Sequence, residues 1–170
     1  MLDRFEPRPE TPRFDLVQGS HVIVPESVTR GVYYVESIDD RRPLFVMPWY
    51  ENTLIGTTET LFEGDPSDVR PLDSEIDYLL RTYRHYFPGR PDDAISQFAG
   101  LRVLPRRGSG LNTRPRETAL LTDQRSKPRL VSIAGGKLTA YRATAEEVLD
   151  RLKPSLPEAT PIAQTDTLTL

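Results

Sequence analysis

The stretch Gly135-Gly136-Lys137-Leu138-Thr139-Ala140-Tyr141-Arg142 joins an apolar run, Leu130 to Ala134, to a helical pattern that continues to about Lys153. A strand that stops at two glycines and continues as a helix turns free backbone N–H groups and a positive dipole end outward. That arrangement suits an anionic ligand. The chain holds three lysines against nineteen arginines, and Lys137 stands where glycines let another molecule approach the backbone. A mobile ammonium beside free N–H donors can bind a phosphate, or stabilise negative charge that develops on a cofactor ring. A plain turn with an exposed lysine accounts for the same spacing, because Gly-Gly turns are common.

Two further residues invite chemistry. His21, one of two histidines, lies in Gly19-Ser20-His21-Val22-Ile23-Val24-Pro25, at the start of a short strand. An imidazole there can move a proton near neutral pH or simply hold a structural hydrogen bond. Arg102 lies inside the apolar stretch Ala99-Gly100-Leu101-Arg102-Val103-Leu104-Pro105. A guanidinium among apolar neighbours needs an anionic partner, either a ligand or an acid elsewhere in the chain.

The elements that must position these residues follow from pattern. His21 to Pro25, Val32 to Ser37, Leu44 to Tyr50 and Thr53 to Thr60 read as four strands, and their short connections predict an antiparallel meander. From Asp73, apolar residues at Ile76, Leu79, Leu80, Tyr83 and Phe87 mark one face of a helix capped by Asp73 or Ser74 and stopped by Pro88-Gly89. Ala94 to Leu104 fits strand or helix, and Arg106 to Arg116 reads as a loop. Ala119 to Thr122 and Leu130 to Ala134 read as two more strands. The last helix places Tyr141, Ala145, Val148, Leu149 and Leu152 on one face and ends at Pro154.

Composition bounds the function. With 170 residues, 37% of them hydrophobic, the chain can build one domain with a real core. A net charge of −3 and the lack of aromatic-interleaved basic stripes argue against nucleic acid. The absence of cysteine removes disulfides, thiolate chemistry and Cys-type zinc sites, and no metal site is expected. No apolar run approaches the length of a transmembrane helix. Residues 51–80 carry eight acids against one base, Arg70, and read as a solvated acidic surface. Residues 101–130 carry eight bases against two acids, and one or two of these arginines are candidates to bind an anion bidentately. No complete Gly-rich dinucleotide fingerprint is present.

In their order and spacing these segments closely resemble the FAD-dependent glycerol-3-phosphate dehydrogenases, the respiratory flavoenzymes of glycerol catabolism. The resemblance runs from about Asp15 to Lys153. It rests on the Gly-Ser-His strand, Phe45-Val46-Met47-Pro48-Trp49, Ile55-Gly56-Thr57-Thr58-Glu59 and Gly64-Asp65-Pro66. It continues through Glu75-Ile76-Asp77-Tyr78-Leu79-Leu80, Ala99-Gly100-Leu101-Arg102 and the Gly-Gly-Lys junction. It implies an α+β fold in which helices pack on an antiparallel β-sheet, the substrate-binding part of a D-amino-acid-oxidase-like flavoprotein. The expected organisation is a loose lead-in over 1–14, a substrate-binding domain over 15–134, a flavin-facing turn and helix over 135–153, and a loose tail over 154–170.

The same resemblance implies that the parent enzyme oxidises sn-glycerol 3-phosphate to dihydroxyacetone phosphate, passing hydride to FAD and electrons to a quinone. It implies a cytoplasmic protein whose parent sits peripherally on the inner face of the membrane. Arg102 and Lys137 match the family's active-site arginine and lysine, and His21 matches a histidine that lines the same pocket. A second substrate arginine is expected before the strand at Ala119, with Arg116 preferred and Arg114 the alternative. Gly136, Lys137, Leu138 and Thr139 would bind the cofactor, Leu138 and Thr139 facing the flavin pyrimidine end, and Ala140 replaces a threonine common in the family. Family members begin with a Gly-rich FAD-binding unit and end in a helical domain, and this chain shows neither. The 170 residues read as an internal fragment that neither holds FAD tightly nor turns over alone. The alternatives are a glycerophosphate or amino-acid oxidase of the same superfamily, and a stand-alone binding module without chemistry.

Overall fold

The computed structural model describes residues 13–106 and 118–160 together with Glu6 and Ile162. The chain forms two units, one over Arg13–Pro115 and the other made of Met1–Pro12 with Arg116–Leu170. The division falls at 115/116, so the last two strands group with the helix that follows them.

The first unit is built on one long strand, β1 (Phe14–Val24), whose 11 residues reach well beyond the short segment expected at His21. It is followed by β2 (Tyr33–Glu36), β3 (Pro43–Trp49), β4 (Asn52–Gly56), β5 (Thr60–Phe62), helix α1 (Asp73–Tyr86) and β6 (Ser96–Pro105). β2, β3 and β4 make the expected meander, but β1 joins it through β4, giving the order β2-β3-β4-β1-β5 with β6 also on β1. The stretch 94–104, ambiguous by pattern, is strand. A fully paired antiparallel edge along β1, from Phe14 opposite Pro105 to Ile23 opposite Ser96, decides it.

The segment expected as one strand over Thr53 to Thr60 is two. β4 pairs with the second half of β1, His21 opposite Gly56, and β5 pairs with the first half, Leu16 opposite Phe62. Thr57, Thr58 and Glu59 form the break between them, facing the middle of β1.

Alternation along the strands gives the sheet two faces. On one, Val22, Val24, Leu44, Val46 and Ile55 pack against Ile76, Leu79, Leu80 and Tyr83 of α1. Burying each such side chain contributes roughly 1.5–3 kcal/mol before entropy is counted. The helix begins at Asp73 as expected, but neither Asp73 nor Ser74 caps it. Leu72 is the N-cap residue, and its N–H donates back to the carboxylate of Glu75 at 3.1 Å.

The other face carries one row of residues in register across five strands: Tyr34, Phe45, Gly56, His21 and Phe98. Its aromatic rings remain partly exposed.

In the second unit β7 (Thr118–Thr122) and β8 (Val131–Gly135) form an antiparallel ribbon, closed by Asp123. That carboxylate accepts from the Arg129 and Leu130 N–H groups and from the Arg129 guanidinium. A 3-10 turn (Leu138–Ala140) then leads into α2 (Tyr141–Leu152) and a 3-10 turn over Lys153–Ser155, which includes Pro154. None of the residues of α2 is buried, and Tyr141 and Leu149 on its apolar face stay exposed among the described residues.

Candidate active site

Register places His21 and Arg102 together. Phe98, Gly100 and Arg102 of β6 lie opposite His21, Gly19 and Val17 of β1, and all six share the face turned away from α1. The His21 ring stacks on Phe98, with centroids 4.9 Å apart and planes 7° from parallel. On the other side it lies over Gly56, where an added Cβ would collide with the imidazole. Gly56 is therefore the gap in the aromatic row that admits the ring. Nδ1 of His21 is buried with no hydrogen-bond partner among the described residues. Burial, and then the nearby charge of Arg102, hold its pKa below the ordinary imidazole value, so the ring is neutral near pH 7.

The Arg102 side chain reaches over Gly19, where a Cβ would lie 2.6 Å from Thr57 Oγ1 and 2.7 Å from Arg102 Nη2. Nη2 donates to the carbonyl of Thr58 at 2.6 Å, and Nη1 pairs with Glu59 Oε1 at 3.4 Å. The break between β4 and β5 thus supplies the acid that a guanidinium in an apolar strand requires. The Glu59 side chain keeps only 6% of its surface exposed and is shared, because Arg42 Nη2 reaches its Oε2 at 2.7 Å. The Arg102 side chain keeps 27% of its surface exposed, enough to meet a ligand as well.

Behind this break lies a carboxylate that the charge pattern misplaced. Glu75, assigned by pattern to a solvated acidic surface, is only 5% exposed. Its Oε2 accepts from Gln18 Nε2 and Ser20 Oγ, both at 2.6 Å, and from the Leu72 N–H. Its Oε1 accepts from Thr58 Oγ1 at 2.6 Å and Thr60 Oγ1 at 2.7 Å. Burial alone would raise its pKa, but the bonds from Ser20, Thr58, Thr60 and Leu72 outweigh that and hold it below the ordinary carboxylate value. Thr58 Oγ1 also accepts from the Ser20 N–H at 2.9 Å. One residue, Thr58, therefore links the helix carboxylate, the central strand and the Arg102 guanidinium.

A signal for this network exists in the sequence. Gln18 and Ser20 fall on the same face of β1 as Val22 and Val24, and buried polar groups at that spacing call for a common partner.

Of the basic residues in 101–130, Arg106 pairs with Asp15 at 2.5 Å and Arg129 with Asp123 at 3.1 Å, so both serve within the chain. Arg114 and Arg116 lie outside the described residues.

The second unit holds the Gly-Gly-Lys turn. Gly135 and Gly136 adopt φ of 72° and 83°, the left-handed region that other residues enter only with strain. A Cβ on Gly136 would in addition collide with Thr118 Oγ1. The turn ends at Lys137, the extended residue before the 3-10 turn at Leu138, and no side chain caps that helix start. Leu138 is 89% exposed. Half-buried Gly136 and exposed Lys137, Leu138 and Thr139 thus form one corner at the end of β8, with the Lys137 ammonium on it.

A six-stranded antiparallel sheet backed by one helix, together with a glycine turn that opens a second helix, is an arrangement this chain shares with flavoproteins. The chain belongs to the FAD dependent oxidoreductase family, whose description matches residues 2–142. It is 37% identical over 144 residues to the aerobic glycerol-3-phosphate dehydrogenase of Escherichia coli (strain K12), an alignment covering 82% of this chain and 29% of that protein. It is 35% identical to the D-erythritol 1-phosphate dehydrogenase of Brucella abortus (strain 2308), covering 84% and 29%. Among solved structures it resembles the glycerol-3-phosphate dehydrogenase from Bacillus halodurans complexed with FAD, with a TM-score of 0.68 and 32% identity. That match covers 84% of this chain and 27% of the other. The chain spans under a third of the length of these relatives. The D-amino-acid-oxidase-like α+β fold expected from the sequence is the fold found.

Proposed function

We propose that this chain forms part of an FAD-dependent enzyme that oxidises sn-glycerol 3-phosphate to dihydroxyacetone phosphate. The observation that carries the reading is the pairing, on one sheet face, of a neutral half-buried imidazole with a guanidinium anchored by Thr58 and Glu59. The relatives named for glycerol 3-phosphate support the substrate, and the turn and helix over 135–153 are the proposed flavin-facing part.

The corner at the end of β8 fits a flavin. The positive-φ glycines turn the chain sharply from β8 into the helix, and the uncapped helix start offers N–H groups and a positive dipole end. Gly136, Lys137, Leu138 and Thr139 would contact the flavin, with Leu138 and Thr139 at the pyrimidine end, where reduction accumulates negative charge. Bound FAD supplies the hydride acceptor for the hydrogen on C2 of the substrate. His21, neutral because burial and Arg102 disfavour its cation, takes the proton of the C2 hydroxyl. Arg102 holds an anionic oxygen of the substrate with a guanidinium whose position Thr58 and Glu59 fix. Lys137 adds a second positive charge for the phosphate or the developing alkoxide. Arg116, or Arg114, is the proposed second substrate arginine. Electrons then pass to a quinone from an enzyme peripheral to the inner face of the cytoplasmic membrane. Among the described residues no helix is long and apolar enough to cross a membrane.

The test is anaerobic mixing of the full-length FAD-loaded enzyme with sn-glycerol 3-phosphate. Bleaching of the visible flavin absorption, with dihydroxyacetone phosphate as product, supports the reading, and a flavin that stays oxidised refutes it. The similarity to D-erythritol 1-phosphate dehydrogenase favours one second reading, a four-carbon polyol phosphate substrate. Bleaching by D-erythritol 1-phosphate alone would select it. Turnover supported by a soluble quinone analogue but not by oxygen would support the acceptor.

A further inference from the structure

Three glycines, Gly19, Gly56 and Gly100, share the sheet face of His21 and Arg102. Two have a reason within the chain. Gly56 makes room for the His21 ring, and Gly19 for the guanidinium of Arg102. Gly100 has none. Among the described residues a Cβ there would meet nothing within 4 Å, and its φ lies outside the left-handed region that favours glycine. It stands inside β6, paired with Gly19, where glycine weakens a strand because it adds backbone entropy and packs nothing. The chain thus keeps a bare position that neither its backbone nor its own packing requires.

The bare position is closely framed. Along β6 it lies midway between Phe98, which stacks on His21, and Arg102. Residues two apart on a strand stand about 6.7 Å apart, so roughly 13 Å of backbone separates the Phe98 and Arg102 attachment points. Between them no side chain rises from β6 on this face. On β1 alongside, Gly19 is covered by the Arg102 guanidinium, so the opening is over Gly100 itself.

We propose that Gly100 is the floor of the substrate site: a short polyol phosphate lies across β6 here, its anionic end toward Arg102 and its hydroxylated carbons toward the His21–Phe98 stack. The missing side chain sets how deeply the carbon chain can settle between them, which makes Gly100 a specificity-determining position. This rests on the polyol phosphate reading given above.

The test compares Gly100→Ala and Gly100→Val with the wild type in the full-length FAD-loaded enzyme. Each added methyl group fills the space the substrate needs, so KM for sn-glycerol 3-phosphate rises about tenfold for Val and by a smaller step for Ala. FAD content and flavin spectrum stay at wild-type values and the thermal midpoint does not fall, because the added groups meet no described residue and a Cβ suits the strand backbone better than glycine does. A KM unchanged in both variants overturns the proposal while leaving the enzyme reading intact. Loss of FAD with KM unchanged in the remaining holoenzyme also overturns it, since Gly100 would then serve cofactor packing. A wild-type flavin reduced by neither sn-glycerol 3-phosphate nor D-erythritol 1-phosphate removes the parent reading and this inference with it.

Discussion

Replacing Glu75 tests the logic of the fold at its most concentrated point. The carboxylate accepts five hydrogen bonds, three at Oε2 and two at Oε1, while only 5% exposed. In Glu75→Gln the amide keeps the shape, but its NH2 must face one set of donors. The Oε2 side is closed to it, because Leu72 N–H and the Gln18 amide nitrogen can only donate, and that nitrogen already gives a second bond to the Arg70 carbonyl. The NH2 therefore turns toward Thr58 and Thr60, whose hydroxyls can rotate and accept.

The three remaining bonds lose their charge assistance, each falling from about 1.5–3 to about 0.5–1.5 kcal/mol. The neutral amide is cheaper to bury, which offsets part of the loss. The net expectation is about 2 kcal/mol for Gln, and about 4 kcal/mol for Ala, which orphans the donors outright.

The assay is urea unfolding of the chain, with the slope unchanged and the midpoint lowered. The pH dependence supplies a second check. The folded pKa of Glu75 lies below its unfolded value, so its contribution is complete above the unfolded pKa and fades as pH falls through the folded one. The gap between wild type and Gln should be full at neutral pH and shrink below about pH 4. A Gln variant as stable as wild type at pH 7, or a gap that persists in acid, refutes the account of the nest.

The other expectations concern the site. In the full-length enzyme Arg102→Ala should raise KM for the phosphorylated substrate at least about tenfold while FAD stays bound, and loss of FAD would show a purely structural arginine. The acid limb of kcat/KM should report His21 and lie below the ordinary imidazole pKa. Protonation on that limb removes the base, and Arg102→Ala should move the limb upward by lifting the nearby positive charge. A limb that does not move would separate the two residues functionally. Gly136→Ala forces a Cβ onto Thr118 at φ +83° and should cost at least about 1 kcal/mol, read as a lower midpoint for this chain and weaker flavin retention in the parent.

Much of the frame was legible because it is written in local chemistry. Alternating β-branched and aromatic residues marked β2, β3 and β4, and the 3.6-residue spacing from Ile76 to Tyr83 marked α1. Two glycines before Lys137 announced a turn of special backbone, and Arg102 in an apolar strand announced a partner. The length of β1 was not legible. Asp15, Gln18, Gly19 and Ser20 break its apolar pattern, and pairing with three other strands carries it through. The break at 57–59 has no local signal for the same reason: Thr57 and Thr58 suit a strand locally, and only the exchange of β4 for β5 along β1 interrupts it.

Local chemistry dictates which residues can react and the kind of element each occupies, since turn preference, alternation and helical period act over a few neighbours. Tertiary structure decided which acids are surface charges and which are buried keystones. Glu59 and Glu75 sit in an acidic run like any other until distant strands surround them with an arginine and with hydroxyls. A carboxylate's role is set by the groups it can reach and the water it loses, and both depend on residues up to 57 positions away.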